Sequence, residues 1–417
     1  MIQKKYNLSV SNLLPILLAL FFQIQLQITN STGYVFNLSP SDLLISGIIF
    51  FILYSRKYSL TFFSIEKPIV YSMALFLLIF TLSFFMGTKD TWAIKKYGGF
   101  YVLILYMVAG INFPRQEITK CKEVFAKYFV NLFLLISMIY IFLSFLKEFY
   151  SLHIPFVDIQ RAIGFVSNPN IFGFLGCVAL IFHWAYYPLF HRKFSSDMLI
   201  SLIIIIAIYL SGSRACWVCG SFIGIFFTLF SPKTRKLLLK TSLIFTALLV
   251  FFNLPGIKFT TFPARHGKIY SMALPSKNDL SIENSSFKIR EDITKISLQL
   301  IKEKPILGQG LGASFGIVID PFEKVPLIIH NTLLWVLVEM GLIGAISLSL
   351  LFFFFLKFFY TRMRETSDPF AQATFLILLT TALFSCAHEI MYQRILWFLI
   401  GLGMAGPRKS DEHAHAP

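Results

Sequence analysis

Apolar residues run through this chain in long, almost unbroken stretches, separated by short polar and mostly basic joints. A helix needs about 20 predominantly apolar residues to cross a bilayer. Such stretches centre on residues 10–28, 36–54, 69–86, 98–112, 128–146, 171–190, 197–212, 215–230, 237–254, 332–356, 370–387 and 391–406, which predicts about 12 transmembrane helices. One long interval, 255–330, interrupts the series. Its residues 261–287 are rich in Ser, Asn, Pro and Lys and read as irregular. Beyond them Ile289, Ile293, Ile296 and Leu300 recur at helical spacing. Arg290, Glu291, Lys295 and Lys302 fall off that apolar face, and Pro305 stops the run. The pattern predicts an amphipathic helix over 286–304, lying on the membrane surface or across the bundle mouth. Gly308-Gln-Gly-Leu-Gly312 then reads as a flexible turn. The expected fold is an all-α integral membrane protein in four segments: 1–150 with helices 1–5, 151–254 with helices 6–9, the long loop 255–330, and 331–417 with the last three helices and a tail.

Composition strengthens this reading. The chain of 417 residues is 56% hydrophobic and 14% charged, with mean hydropathy +0.71; soluble domains are about a quarter charged. A disordered chain, a disulfide-stapled mini-protein and a coiled coil are excluded. The net charge of +16 invites a nucleic-acid partner, but the positions of the charges argue for topology instead. With the N-terminus inside, twenty Lys and Arg fall on inside pieces, seven in short outside loops and ten in the long loop. This asymmetry places both termini in the cytoplasm and makes nucleic acid unnecessary. Of the seven outside cations, Lys89, Lys95, Lys96 and Lys147 read either as contacts to lipid phosphates or as residues kept for function. Cys216-x-x-Cys219 lies inside an apolar run and reads as buried small side chains rather than a metal or redox pair.

The candidate chemistry sits at the predicted outer face. His330-Asn331 opens the tenth span, with Glu339, Gly341 and Gly344 further along it. Eleven helical residues turn about 20° beyond three full turns, so His330 and Gly341 are expected on one face, with the glycines admitting a neighbouring helix. A neutral imidazole there suits proton removal from a hydroxyl. Ser211-Gly-Ser213-Arg214 marks a turn between two spans and offers helix N–H groups and a guanidinium to phosphate. Arg161 precedes Asn168-Pro-Asn170, a turn that caps the sixth span. Arg290 is expected at the start of the amphipathic helix, and Arg394 at the mouth of the last span near His388 and Tyr392. Arginines and a histidine at one depth fit a membrane-anchored polyanion. No Asp-x-Asp pair lies outside and neither Gly-x-Ser-x-Gly nor His-Glu-x-x-His occurs, so metal, cofactor and hydrolase readings gain no support.

His330-Asn331 followed by Gly341-x-x-Gly344 resembles the signature of the bacterial O-antigen ligase and polymerase superfamily. Ser-x-Ser-Arg214, Gly-Phe-x-x-Asn-Pro-Asn170 and Arg290 leading to Pro305-x-x-Gly308-x-Gly310 resemble its other landmarks, over roughly residues 160–400. The resemblance implies a metal-independent glycosyltransferase with a GT-C-like architecture in the inner membrane, its long loop periplasmic. The donor would be a glycan on undecaprenyl pyrophosphate. A ligase moves it to a sugar hydroxyl of lipid A–core, and a polymerase to the next lipid-linked repeat; Glu339 leaves the two open. His330 would be the catalytic base, and Arg214 and Arg290, with Arg161 and Arg394, would bind the pyrophosphate. Asn331, Ser213, Asn170, Gly341 and Gly344 would support them. A transporter of the same lipid-linked sugar is the non-enzyme alternative, but it would show paired halves and charges at the midplane.

Overall fold

A computed structural model describes residues 10–29, 35–54, 66–113, 117–150, 162–166, 168–187, 189, 193–252, 280–315 and 329–406. In chain order these form α1 (Val10–Phe21), β1 (Leu26–Thr29), β2 (Val35–Leu38), α2 (Pro40–Tyr54), α3 (Lys67–Met86), α4 (Thr91–Ile111), α5 (Ile118–Tyr150), α6 (Pro169–Tyr186), α7 (Phe194–Leu210), α8 (Arg214–Phe230), α9 (Pro232–Phe252), α10 (Leu280–Glu303), α11 (Thr332–Thr366), α12 (Pro369–Ser385) and α13 (Arg394–Met404). Every apolar stretch of the sequence carries a helix, and α10 is the amphipathic one. The protein is an all-α integral membrane protein. Among the described residues α3, α4, α5, α6 and α11 are long and apolar enough to cross a membrane, while α2, α7, α8, α12 and α13 are apolar but shorter.

The boundaries differ from the expected spans where local chemistry decides. The first span was expected over 10–28, yet α1 ends at Phe21 and 26–29 pairs antiparallel with 35–38, Leu26 opposite Leu38. Polar and apolar residues alternate there (Gln25, Leu26, Gln27, Ile28), which is strand periodicity. Helix α4 begins at Thr91 rather than 98 because Asp90 caps it, its carboxylate accepting from the Ala93 N–H at 2.7 Å.

The chain divides into two compact units. One comprises Met1–Ile48, Phe113–Ser276 and Gly406–Pro417; the other comprises Ile49–Asn112 and Lys277–Ala405. In the first, α6 is the core helix, buried from Phe172 to Tyr186 and packed on α5, α7 and α8. Cys177, Cys216 and Cys219 are fully buried here, as expected of small core side chains. In the second unit, α4 and α13 touch backbone to backbone. A Cβ on Gly401 would lie 2.1 Å from the Met107 carbonyl oxygen, and one on Gly110 would lie 2.6 Å from the Phe398 carbonyl oxygen. Phe100 packs edge-on against Trp397 beside this crossing, ring centres 5.2 Å apart.

Candidate functional site

In the second unit the site is built where α11 begins. Asn331 caps the helix, its side-chain oxygen accepting from the Leu334 N–H at 2.9 Å. Its amide nitrogen donates to the Cys386 carbonyl at 3.0 Å. Thr332 Oγ1 donates to the His388 carbonyl at 3.0 Å and accepts from the Ile390 N–H at 3.3 Å. His330-Asn331-Thr332 thus clamps the loop between α12 and α13. The His388 ring stacks on Phe384 at 4.6 Å and stands 6.1 Å, centre to centre, from the His330 ring. Arg394 opens α13 immediately after this loop.

His330 itself lies before α11, with its side chain exposed. Crowding by its neighbours, and secondarily the charge of Arg290, hold its imidazole below the usual value of 6.5. The neutral, proton-accepting form is therefore favoured. Arg290 is exposed on α10 and sits ten residues into the helix rather than at its expected start, because α10 begins at Leu280. The apolar face is as the spacing implies: Ile293 is buried, while Arg290, Glu291, Lys295 and Lys302 are exposed.

Two expectations are corrected here. His330 and Gly341 do not share a helix face. His330 is outside the helix, and Gly341 (φ 63°, ψ −165°) breaks it. Nor is 308–312 a flexible turn. Gly308, Gly310 and Gly312 all have positive φ, which lets the loop lie flat on the break in α11. The Gln309 N–H donates to the Val338 carbonyl at 2.8 Å, Gly310 to Glu339 at 3.0 Å, and Leu311 to Ser83 of α3 at 2.8 Å. On the far side of the break, the Leu342 N–H donates to the Pro305 carbonyl at 2.8 Å. The loop takes up carbonyls that the broken helix leaves open. Gly341 admits this loop, not a neighbouring helix: a Cβ there would lie 2.3 Å from the Ile306 carbonyl oxygen. At Gly344 a Cβ would meet the Met340 side chain of the preceding turn.

Beneath the clamp is a buried charge cluster that the sequence did not reveal. Lys96, 4% exposed, lies 3.7 Å from Glu339 Oε1 and 3.5 Å from Glu389 Oε1. Its ammonium is 4.2 Å from the centre of the Trp335 ring. Glu339 is fully buried and also accepts from Ser314, from its hydroxyl and from its N–H at 3.3 Å. Tyr392 Oη donates to the Lys96 carbonyl at 3.0 Å. Burial pushes the Glu389 carboxyl up against the opposing pull of Lys96, and burial likewise raises the Tyr392 phenol. The only advance signals were charges set in otherwise apolar helix mouths.

In the first unit, α7 ends at Leu210 and turns through Gly212 (φ +61°) into α8, which opens with Arg214. Arg214 is exposed. Ser213 precedes it as the N-cap position but makes no side-chain cap bond. Asn168 caps α6, its side chain accepting from the Asn170 N–H at 2.8 Å, with Pro169 next. The two turns adjoin: the Asn170 carbonyl accepts from Cys216 Sγ at 3.5 Å, and the Ala162 N–H donates to the Leu210 carbonyl at 2.9 Å. Arg161 lies outside the described residues.

These features define a multi-pass helical membrane protein with a histidine–arginine corner beside a helix start. Residues 199–349 match the family model described as O-Antigen ligase. The match covers Arg214, Arg290, His330 and Glu339, and supports the O-antigen ligase and polymerase superfamily that the sequence resembles. No curated protein matches the chain.

Proposed function

We propose that this protein is an O-antigen ligase of the bacterial inner membrane, with both termini cytoplasmic. It transfers a glycan from undecaprenyl pyrophosphate to a sugar hydroxyl of lipid A–core at the periplasmic face. The observation that carries the reading is the His330 corner, an imidazole whose pKa is lowered by its surroundings and by Arg290, within the segment that matches the family. His330 takes the proton of the acceptor hydroxyl, and the oxygen attacks the anomeric carbon of the donor. The bond to pyrophosphate breaks, and undecaprenyl pyrophosphate leaves with its electron pair. Arg214 and Arg290, with Arg161 and Arg394, neutralise the charge that develops on the leaving group. Guanidinium groups supply this without a metal, as in a GT-C-type transferase.

A polymerase uses the same chemistry with a lipid-linked acceptor, and Glu339 does not separate the two. The test is a lipopolysaccharide gel of cells lacking the gene. Loss of all bands above lipid A–core, with polymer retained on undecaprenyl pyrophosphate, is the ligase result. Core bearing a single repeat means polymerase. An unchanged ladder with an intact donor pool overturns the assignment.

A further inference from the structure

The second unit contains three pieces that must hold still for His330 to work: the start of α11, the loop after α10, and the loop between α12 and α13. We infer that Lys96 is the positioning residue that fixes these pieces to one another, by pairing at once with Glu339 and Glu389. The inference rests on the ligase reading only for its kinetic consequence; the structural consequence needs no substrate.

The geometry is specific. Glu339 holds Ser314, and so the end of the glycine loop that follows the Arg290-bearing helix. Glu389 sits in the loop that carries His388 and leads into Arg394. Lys96 lies within 3.7 Å of both carboxylates. The groups facing this cation are Glu339 and Trp335 on α11, Glu389 in the α12–α13 loop and Trp92 on its own helix; Tyr392 of the same loop bonds the Lys96 backbone carbonyl. The cluster is dry. Lys96 Nζ, Glu339 Oε2 and the Trp335 and Trp92 indole N–H groups are buried without a hydrogen-bond partner among the described residues. Removing the cation from between a fully buried carboxylate, Glu339, and a mostly buried one, Glu389, leaves uncompensated negative charge behind, which is strongly destabilising. Among the described residues the Lys96 ammonium pairs with Glu339 and Glu389 and not with His330 or Arg290, so its effect on transfer passes through the loops.

The experiment is hydrogen–deuterium exchange on the full chain in nanodiscs, read at 309–314 and 386–393. Lys96→Met is expected to accelerate exchange in both segments, by about tenfold or more. Glu339→Ala removes the acceptor of Ser314 and should loosen 309–314 alone, since Lys96 and Glu389 then pair one to one. Glu389→Gln should free 386–393 alone. Lys96→Arg keeps the cation and should keep both segments protected. In transfer assays Lys96→Met should lower kcat with KM for donor and acceptor little changed. Should Lys96→Met fail to insert, Lys96→Met with Glu389→Gln removes the surplus negative charge as well, and 309–314 must still loosen beyond Glu389→Gln alone. Loosening of only one segment in Lys96→Met, or of neither, overturns the inference. Coupled loosening with no transfer in any variant, wild type included, would instead count against the ligase reading and leave the positioning role standing.

Discussion

Replacing Gly341 by alanine tests the break in α11 directly. Its backbone lies at φ 63° and ψ −165°, a region essentially reserved for glycine and costing a side-chain-bearing residue about 1–3 kcal/mol. The added methyl would also lie 2.3 Å from the Ile306 carbonyl oxygen and 2.5 Å from the Gly308 nitrogen. Both are backbone atoms, which cannot swing aside, and overpacking of this kind costs about 1–3 kcal/mol more. Together the loss is about 2–6 kcal/mol, and with it goes the docking of the glycine loop. Gly98, in α4 of the same unit, is the control. A Cβ there meets nothing within 4 Å, so Gly98→Ala should gain about 0.5–1 kcal/mol of helix stability. The assay is thermal unfolding of the purified protein in detergent. Gly341→Ala should lower Tm by about 2–7 °C, and exchange at Gln309, Gly310 and Leu342 should quicken. A Gly341→Ala protein as stable as wild type, with those amides still protected, would refute the account of the break.

The pH dependence of transfer follows from His330. Its pKa is held below 6.5, so the base form persists to lower pH than for free histidine, and the acid limb should have its midpoint under that value. Arg290→Gln removes a nearby positive charge that disfavours the imidazolium. The pKa should rise and the limb move to higher pH; an unmoved or lowered midpoint would show that Arg290 does not act on His330. At the α4–α13 crossing, Gly401→Val pushes side-chain atoms into the Met107 backbone and should cost about 1–3 kcal/mol, read as a lower Tm and poorer insertion.

The positions of the helices were legible because bilayer spans advertise themselves as apolar runs. So was α10, from the spacing of Ile293, Ile296 and Leu300. The Asn168 cap and the turn at Gly212 were legible from turn chemistry alone. The hairpin at 26–38 was not, because its apolar residues merged with the neighbouring spans and hid a short alternating pattern. The break at Gly341 was hidden for a related reason. The helical period continues across it, and only contact with a loop far off in sequence shows that the chain departs from helix there. His330, Arg214 and Arg290 stood out through their types and neighbours. Lys96 and Glu389 did not, because a lysine at a helix mouth looks the same whether it meets lipid phosphate or a buried carboxylate. Tertiary pairing alone separates those cases.

The most direct test of the central claim is transfer by the purified protein in proteoliposomes. The reaction holds an undecaprenyl-pyrophosphate-linked glycan, lipid A–core and a chelator, and compares wild type with His330→Gln. Wild type should give product despite the chelator. His330→Gln should lose about 10²–10⁴-fold in rate, with Tm unchanged. Transfer by His330→Gln at the wild-type rate would remove His330 from the chemistry and contradict the account.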